Sequence, residues 1–159
     1  MNIFFFHTPA EYQTALDQLI AAAKHHIRIH DRNLDTGGFN SSERYDSLRK
    51  FCLTGTGQRI EILLDDPAYL QNQCPRLMTL LRDFSHVIEI RQTEAGSERP
   101  EFGFALADRS AVLKRFDKDA SQGQLDLDDA AGAVLLHQQF DQLWQRAPAS
   151  VSATTLGLG

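Results

Sequence analysis

Cysteine is scarce in this chain: two residues in 159, Cys52 and Cys74, with no CxxC pair. That excludes a disulfide scaffold and a zinc site of paired-cysteine spacing. Cys52 falls on the apolar face of an expected helix, where a free thiol behaves as a small apolar group. The chain therefore reads as reduced and cytoplasmic. Long apolar runs are missing too. The start Met1-Asn2-Ile3-Phe4-Phe5-Phe6-His7 lacks a basic n-region and is far too short for a signal sequence or a membrane span. Positive charge is in deficit, with 16 Lys and Arg against 21 Asp and Glu, a net −5. A protein that grips nucleic acid through its phosphates carries a basic surplus or stripe, so nucleic acid is disfavoured as main partner and no membrane partner is expected. Gly37-Gly38 and Gly55-x-Gly57 lack the context of a phosphate-binding loop. Asp126, Asp128 and Asp129 lack the glycine and the distal glutamate of a calcium loop. No cofactor and no resident metal is expected.

What is present is ordinary globular material: 42% hydrophobic and 23% charged residues, with ten Phe as bulky core filler. The length suits one domain. A short first strand is followed by Thr8-Pro9-Ala10-Glu11, a helix-start signature. Tyr12, Ala15, Leu16, Leu19, Ile20 and Ala23 then recur on one helical face. His25-His26 is expected to end that helix. Ile27-Arg28-Ile29-His30 alternates as a strand, and Asp31 to Ser42 reads as a polar loop. A helix through Tyr45, Leu48, Phe51 and Cys52, a strand from Arg59 to Leu64, and a helical stretch from Tyr69 to Phe84 broken before Pro75 come next. Val87 to Arg91 is a strand. Phe102 to Ala107 and Ala111 to Phe116 form a hairpin around Asp108-Arg109-Ser110. Asp117 to Asp128 holds at most one short edge strand, and a final helix presents Ala133, Leu136, Phe140, Leu143 and Trp144 inward. Alternating βα units imply an α/β fold with a mixed, mostly parallel sheet flanked by helices. The domain is expected over residues 1–147, with a flexible tail over 148–159.

Three features resemble the single-copy phospholipase-D-like fold. They are the helix ending Ala21-Ala22-Ala23-Lys24 before Ile27-Arg28-Ile29, the hairpin with Phe104-Ala105-Leu106-Ala107-Asp108, and the closing helix with Phe140-Asp141-Gln142-Leu143-Trp144. The likeness implies that fold, with a C-terminal hairpin and closing helix, over roughly residues 8–147. Active members are phosphodiesterases whose His-x-Lys-x-x-x-x-Asp motif leads into this hairpin. Their His attacks phosphorus and their Lys steadies the equatorial oxygens. With Asp108 as the motif aspartate, Glu101 stands at the His position and Gly103 at the Lys position. Glutamate repels a phosphodiester and glycine carries no charge. The Gly-Ser-x-Asn stretch that usually follows is replaced by residues including Arg115 and Phe116. A narrower resemblance, carried by His30-Asp31-Arg32-Asn33-Leu34-Asp35, Ala107-Asp108-Arg109, and Phe140 with Trp144, is to a bacterial phospholipase-D-like domain. That domain accompanies GNAT-type acetyltransferases or stands free.

His30, Asp31 and Arg32 close one expected parallel strand and Asp65 closes the next, where ligands gather in open α/β sheets. With Glu101 and Asp108 they could line one polar ligand crevice, His30, Asp31 and Asp108 being the candidates for any catalysis. Alternatively these residues cap loops and helices, Asp108 shaping its turn. The leading functional expectation is a non-catalytic module for ligand binding or for assembly as a homodimer. A diverged hydrolase with a carboxylate and histidine site, and a regulatory partner of an acetyltransferase, are the alternatives.

Overall fold

A computed structural model describes residues 2–147 and 149–152. The elements are β1 (Ile3–Phe6), α1 (Pro9–Ala22), β2 (His26–Asp31), α2 (Ser42–Leu53), β3 (Arg59–Leu64), α3 (Ala68–Gln73), α4 (Pro75–Asp83), β4 (Ile88–Gln92), β5 (Gly103–Ala107), β6 (Ala111–Arg115), β7 (Gly123–Asp126), α5 (Ala130–Arg146) and β8 (Ala149–Ser150). Capping sets the helix starts. Thr8 Oγ1 accepts from Glu11 N at 3.1 Å, Ser41 Oγ from Arg44 N at 3.0 Å, and Asp129 Oδ1 from Gly132 N at 2.9 Å. Pro75 separates α3 from α4, as its missing N–H requires.

The strands form one sheet in the order β1-β7-β6-β5-β2-β3-β4-β8. The mixed α/β architecture is as expected, but parallel pairing is confined to β2-β3-β4. The other neighbours run antiparallel. The reason lies in β1: although α1 links it to β2, the β5-β6-β7 meander stands between them. The strand expected at an edge after Asp117 is β7, and it is interior, with β1 outside it.

Period-two alternation gives the sheet two unlike faces. Ile27, Ile29, Ile60, Ile62, Ile88, Ile90, Ala105 and Leu113 face the larger core built with α1 to α4. Leu63, Phe104, Leu106 and Val112 face α5 through Ala133, Phe140, Leu143 and Trp144. Between these apolar contacts α5 also covers charge. The Arg28 guanidinium lies 4.7 Å from the Phe140 ring centre and that of Arg91 4.3 Å from the Trp144 ring centre.

Two expectations need correction. The stretch from Asp31 to Ser42 is not merely a polar loop, because Leu34 and Phe39 are buried and Leu34 takes a positive φ of 69°. His26 does not end α1; it opens β2, and its Nε2–H donates to Glu61 Oε1 at 2.7 Å. In the segment expected as a tail, Ala149–Ser150 pairs with β4 and Val151 is buried. Residues 148 and 153–159 of that tail lie outside the described residues.

Candidate functional site

β2 and β3 end side by side at Asp31 and Leu64, so their polar termini meet at the carboxyl edge of the parallel strands. β5 runs antiparallel to β2 and brings its first residue, Gly103, to the same edge. Arg115 pairs with Gly103 across the hairpin. Asp31, Gly103 and Arg115 therefore lie in a row over three strands, on the face that α1 covers.

Arg115 is the largest fully buried side chain among the described residues. Its Nη2 donates to Asp31 Oδ1 and to the Lys118 carbonyl, both at 2.5 Å, and its guanidinium lies 4.9 Å from the Tyr12 ring centre. Burial raises the Asp31 pKa and the Arg115 charge opposes that rise. A buried pair of this kind is costly to break: removing one partner typically destabilises by about 3–5 kcal/mol. A Cβ added at Gly103 would lie 3.3 Å from the His30 carbonyl, 3.5 Å from Asp31 Oδ1 and 3.7 Å from Arg115 Nε. A lysine at 103 would start against this pair.

Asp65 carries a second pair. Its Oδ2 meets Lys118 Nζ at 2.7 Å, with both side chains under a tenth exposed, and its Oδ1 accepts from Thr93 Oγ1 at 3.1 Å. Arg99 Nε stands 3.6 Å from Asp65 Oδ1, and Arg99 Nη1 donates to Thr93 Oγ1 at 2.8 Å. Arg32 turns outward and is bidentate to Asp119 at 2.7 and 3.2 Å. Arg32, Asp65, Arg99 and Lys118, with Glu98 and the exposed Glu101, surround a cleft of about 440 Å³. Its three cations are balanced by three carboxylates, Asp65, Glu98 and Glu101.

His30 is near but does not line this cleft. It is on the α5 face, fully buried, with Nδ1–H donating to the Leu63 carbonyl at 3.0 Å and the Phe104 ring set edge-on at 5.5 Å. Burial, reinforced by the Lys118 charge, lowers its pKa to about 4. It is a neutral core histidine at physiological pH.

Of the sequence-predicted residues, the structure thus brings Asp65, Arg32 and Glu101 to one cleft, with Asp31 buried behind it and His30 on the other side of the sheet. Asp108 is a correction: it lies at the opposite end of β5. Its Oδ1 accepts from His25 N at 2.9 Å and His26 N at 3.0 Å, and its Oδ2 from Lys24 N at 2.9 Å. With φ at 53°, Asp108 shapes its own turn and ties it to the α1–β2 connection. Arg115, Lys118 and Arg99 join the site without having been among the residues expected there. Counting outward from the turn would have set Arg115 opposite Gly103; nothing local marks Lys118 as buried. Among the described residues no cluster of three or more His, Cys, Asp or Glu is placed to hold a metal, and no helix is long and apolar enough to cross a membrane.

Comparison with solved structures finds the same fold in proteins of low identity. Nuc from Salmonella typhimurium, a phospholipase D family member, aligns over 95% of this chain and 98% of its own at 14% identity, with a TM-score of 0.68. NucT from Helicobacter pylori aligns over 92% and 97% at 16% identity, with a TM-score of 0.58. The archaeal chromatin protein TrmBL2 aligns over 92% of this chain at 15% identity and a TM-score of 0.65, but the match spans only 54% of that protein. The fold is phospholipase-D-like. No curated protein sequence matches. A family model described as a domain of unknown function, DUF7931, matches residues 8–156.

Proposed function

From the premise that the chain belongs to the DUF7931 family and has a phospholipase-D-like fold, we propose that it is a non-catalytic module acting by binding a ligand or by assembly with a second copy or another protein. The observation that carries this reading is the state of the motif cleft. Glu101 and Gly103 stand at the positions counted back from Asp108, and the charges around them are bound to one another: Arg115 to Asp31, Lys118 to Asp65, Arg32 to Asp119. Attack on phosphorus needs a nucleophile that reaches substrate and cations free to take the developing charge. Here the one nearby imidazole, His30, is sealed away from the cleft, and the cations are already neutralised.

A diverged hydrolase would have to break these pairs to admit a phosphodiester, at a cost of several kcal/mol each for the buried ones. The test is hydrolysis of bis(p-nitrophenyl) phosphate by the full chain, with and without added divalent metal. The expected result is a rate equal to that of buffer, unchanged in Lys118→Ala and His30→Gln. Turnover above buffer that either substitution abolishes would overturn the reading.

A further inference from the structure

The other end of β5 carries a second cleft, larger than the first at about 740 Å³. It opens between the start of β2, the β5–β6 turn and α5. Its floor is a closed set of hydrogen bonds. The Glu61 carboxylate accepts from His26 Nε2 at 2.7 Å and Arg28 Nε at 3.0 Å. Burial pushes its pKa up, but these two donors outweigh that and hold it at about 2. Arg28 Nη1 also donates to His137 Nδ1 at 3.2 Å, and Arg28 Nη2 meets Asp141 Oδ1 at 2.7 Å. His137 Nε2–H donates to the Asp108 carbonyl at 2.8 Å. Both His137 nitrogens are thus engaged and its tautomer is fixed.

The rim is different. Every carboxylate here is engaged: Asp108 by three backbone N–H groups, Asp141 by Arg28, Glu61 by His26 and Arg28. The exposed cations Lys24 and Arg109 have no ion pair among the described residues. His26 is held through Nε2, which leaves Nδ1 without a hydrogen-bond partner there. A carboxylate that orients a histidine while its second nitrogen faces a cleft is a common way of presenting one polar contact to a ligand. Lys24 and Arg109 thus leave free cationic capacity at the rim of this cleft.

We propose that this cleft binds a phosphomonoester: Lys24 and Arg109 take the phosphate dianion, and the organic body of the ligand fills the remaining volume, where one of its hydroxyl or amine groups donates to His26 Nδ1. Two unpaired cations match a dianion better than a single carboxylate. A cleft of this size exceeds inorganic phosphate and falls within the usual range for small-molecule sites, about 300–1,000 Å³. The proposal names where the binding module of the preceding section takes its ligand and rests on that reading. Hydrolysis at the motif cleft and binding at this one are read in separate assays, so the two can fail separately.

The experiment is calorimetric titration of the full chain with inorganic phosphate and with adenosine monophosphate, alongside the His26 proton resonance. Saturable binding is expected, tighter for the nucleotide and accompanied by a shift of His26. Lys24→Ala and Arg109→Ala, both at exposed positions, should each weaken it tenfold or more, whereas Arg99→Ala in the motif cleft should leave it unchanged. No saturable binding, affinity indifferent to Lys24 and Arg109, loss with Arg99→Ala instead, or no gain for the nucleotide over phosphate would each overturn the assignment.

Discussion

A histidine enclosed by the Leu63 carbonyl, Phe104 and a neighbouring Lys118 cannot take up a proton cheaply. His30 has its pKa lowered from 6.5 to about 4, first by burial and then by the Lys118 charge; Asp65 and the Leu63 carbonyl act the other way, and Arg99 adds to the lowering. In the unfolded chain the same imidazole protonates near pH 6.5. Between these values the unfolded state binds more protons, so His30 contributes full stability above pH 6.5 and loses it as pH falls towards 4. Urea unfolding of the full chain and of His30→Gln at pH 7, 6 and 5 isolates this. The difference between them should shift by up to ~1.4 kcal/mol per pH unit below pH 6, against the wild type. A difference that stays constant over that range would show that His30 takes up its proton alike in the folded and unfolded chain, and would return it to the list of candidate catalytic groups.

At the scale of elements, β7 depends on one residue that must lack a side chain. Gly123 pairs with Phe6 on one side and Arg115 on the other. A Cβ there would overlap the Lys114 carbonyl oxygen and lie 2.5 Å from Phe6 Cζ. Gly123→Ala must therefore separate β7 from its neighbours, with an expected loss of roughly 1–3 kcal/mol by analogy with overpacked cores; chemical denaturation measures it. The strands themselves were legible, because alternation along Ile27-Arg28-Ile29 or the hairpin is a local signal. Which strand neighbours which was not: alternation is the same for a parallel and an antiparallel partner, so the insertion of β5-β6-β7 between β1 and β2 left no mark. The site was legible in part. Strand-end positions put Asp65 and Arg32 together, but seven residues of largely extended chain span roughly 20 Å. That length alone separates Glu101 from Asp108. The burial of Arg115 and Lys118 depends on long-range partners, Asp31 and Asp65, and no short window contains both members of either pair.

For the molecule as a whole, the open question is where the folded unit stops. Strand β4 would be an edge if the domain closed with α5, since its other neighbour is β3. An uncovered edge offers unpaired backbone groups to other chains. Instead the chain after α5 returns to it. Arg91 and Gln92 pair with Ser150 and Ala149, Val151 N donates to the Ile90 carbonyl at 2.7 Å, and the Val151 side chain joins the larger core. Burying a valine contributes about 1.5–3 kcal/mol, and at this chain length each kcal/mol moves the melting temperature by about 2–4 °C. A chain ending at residue 147 should accordingly melt roughly 5 °C or more below the full chain and aggregate more readily on heating through its bare β4 edge. Calorimetry with light scattering compares the two directly. Coincident melting would mean that the strand contributes nothing and that the unit closes with α5. A lowered, aggregation-prone transition would make the returning strand part of the fold.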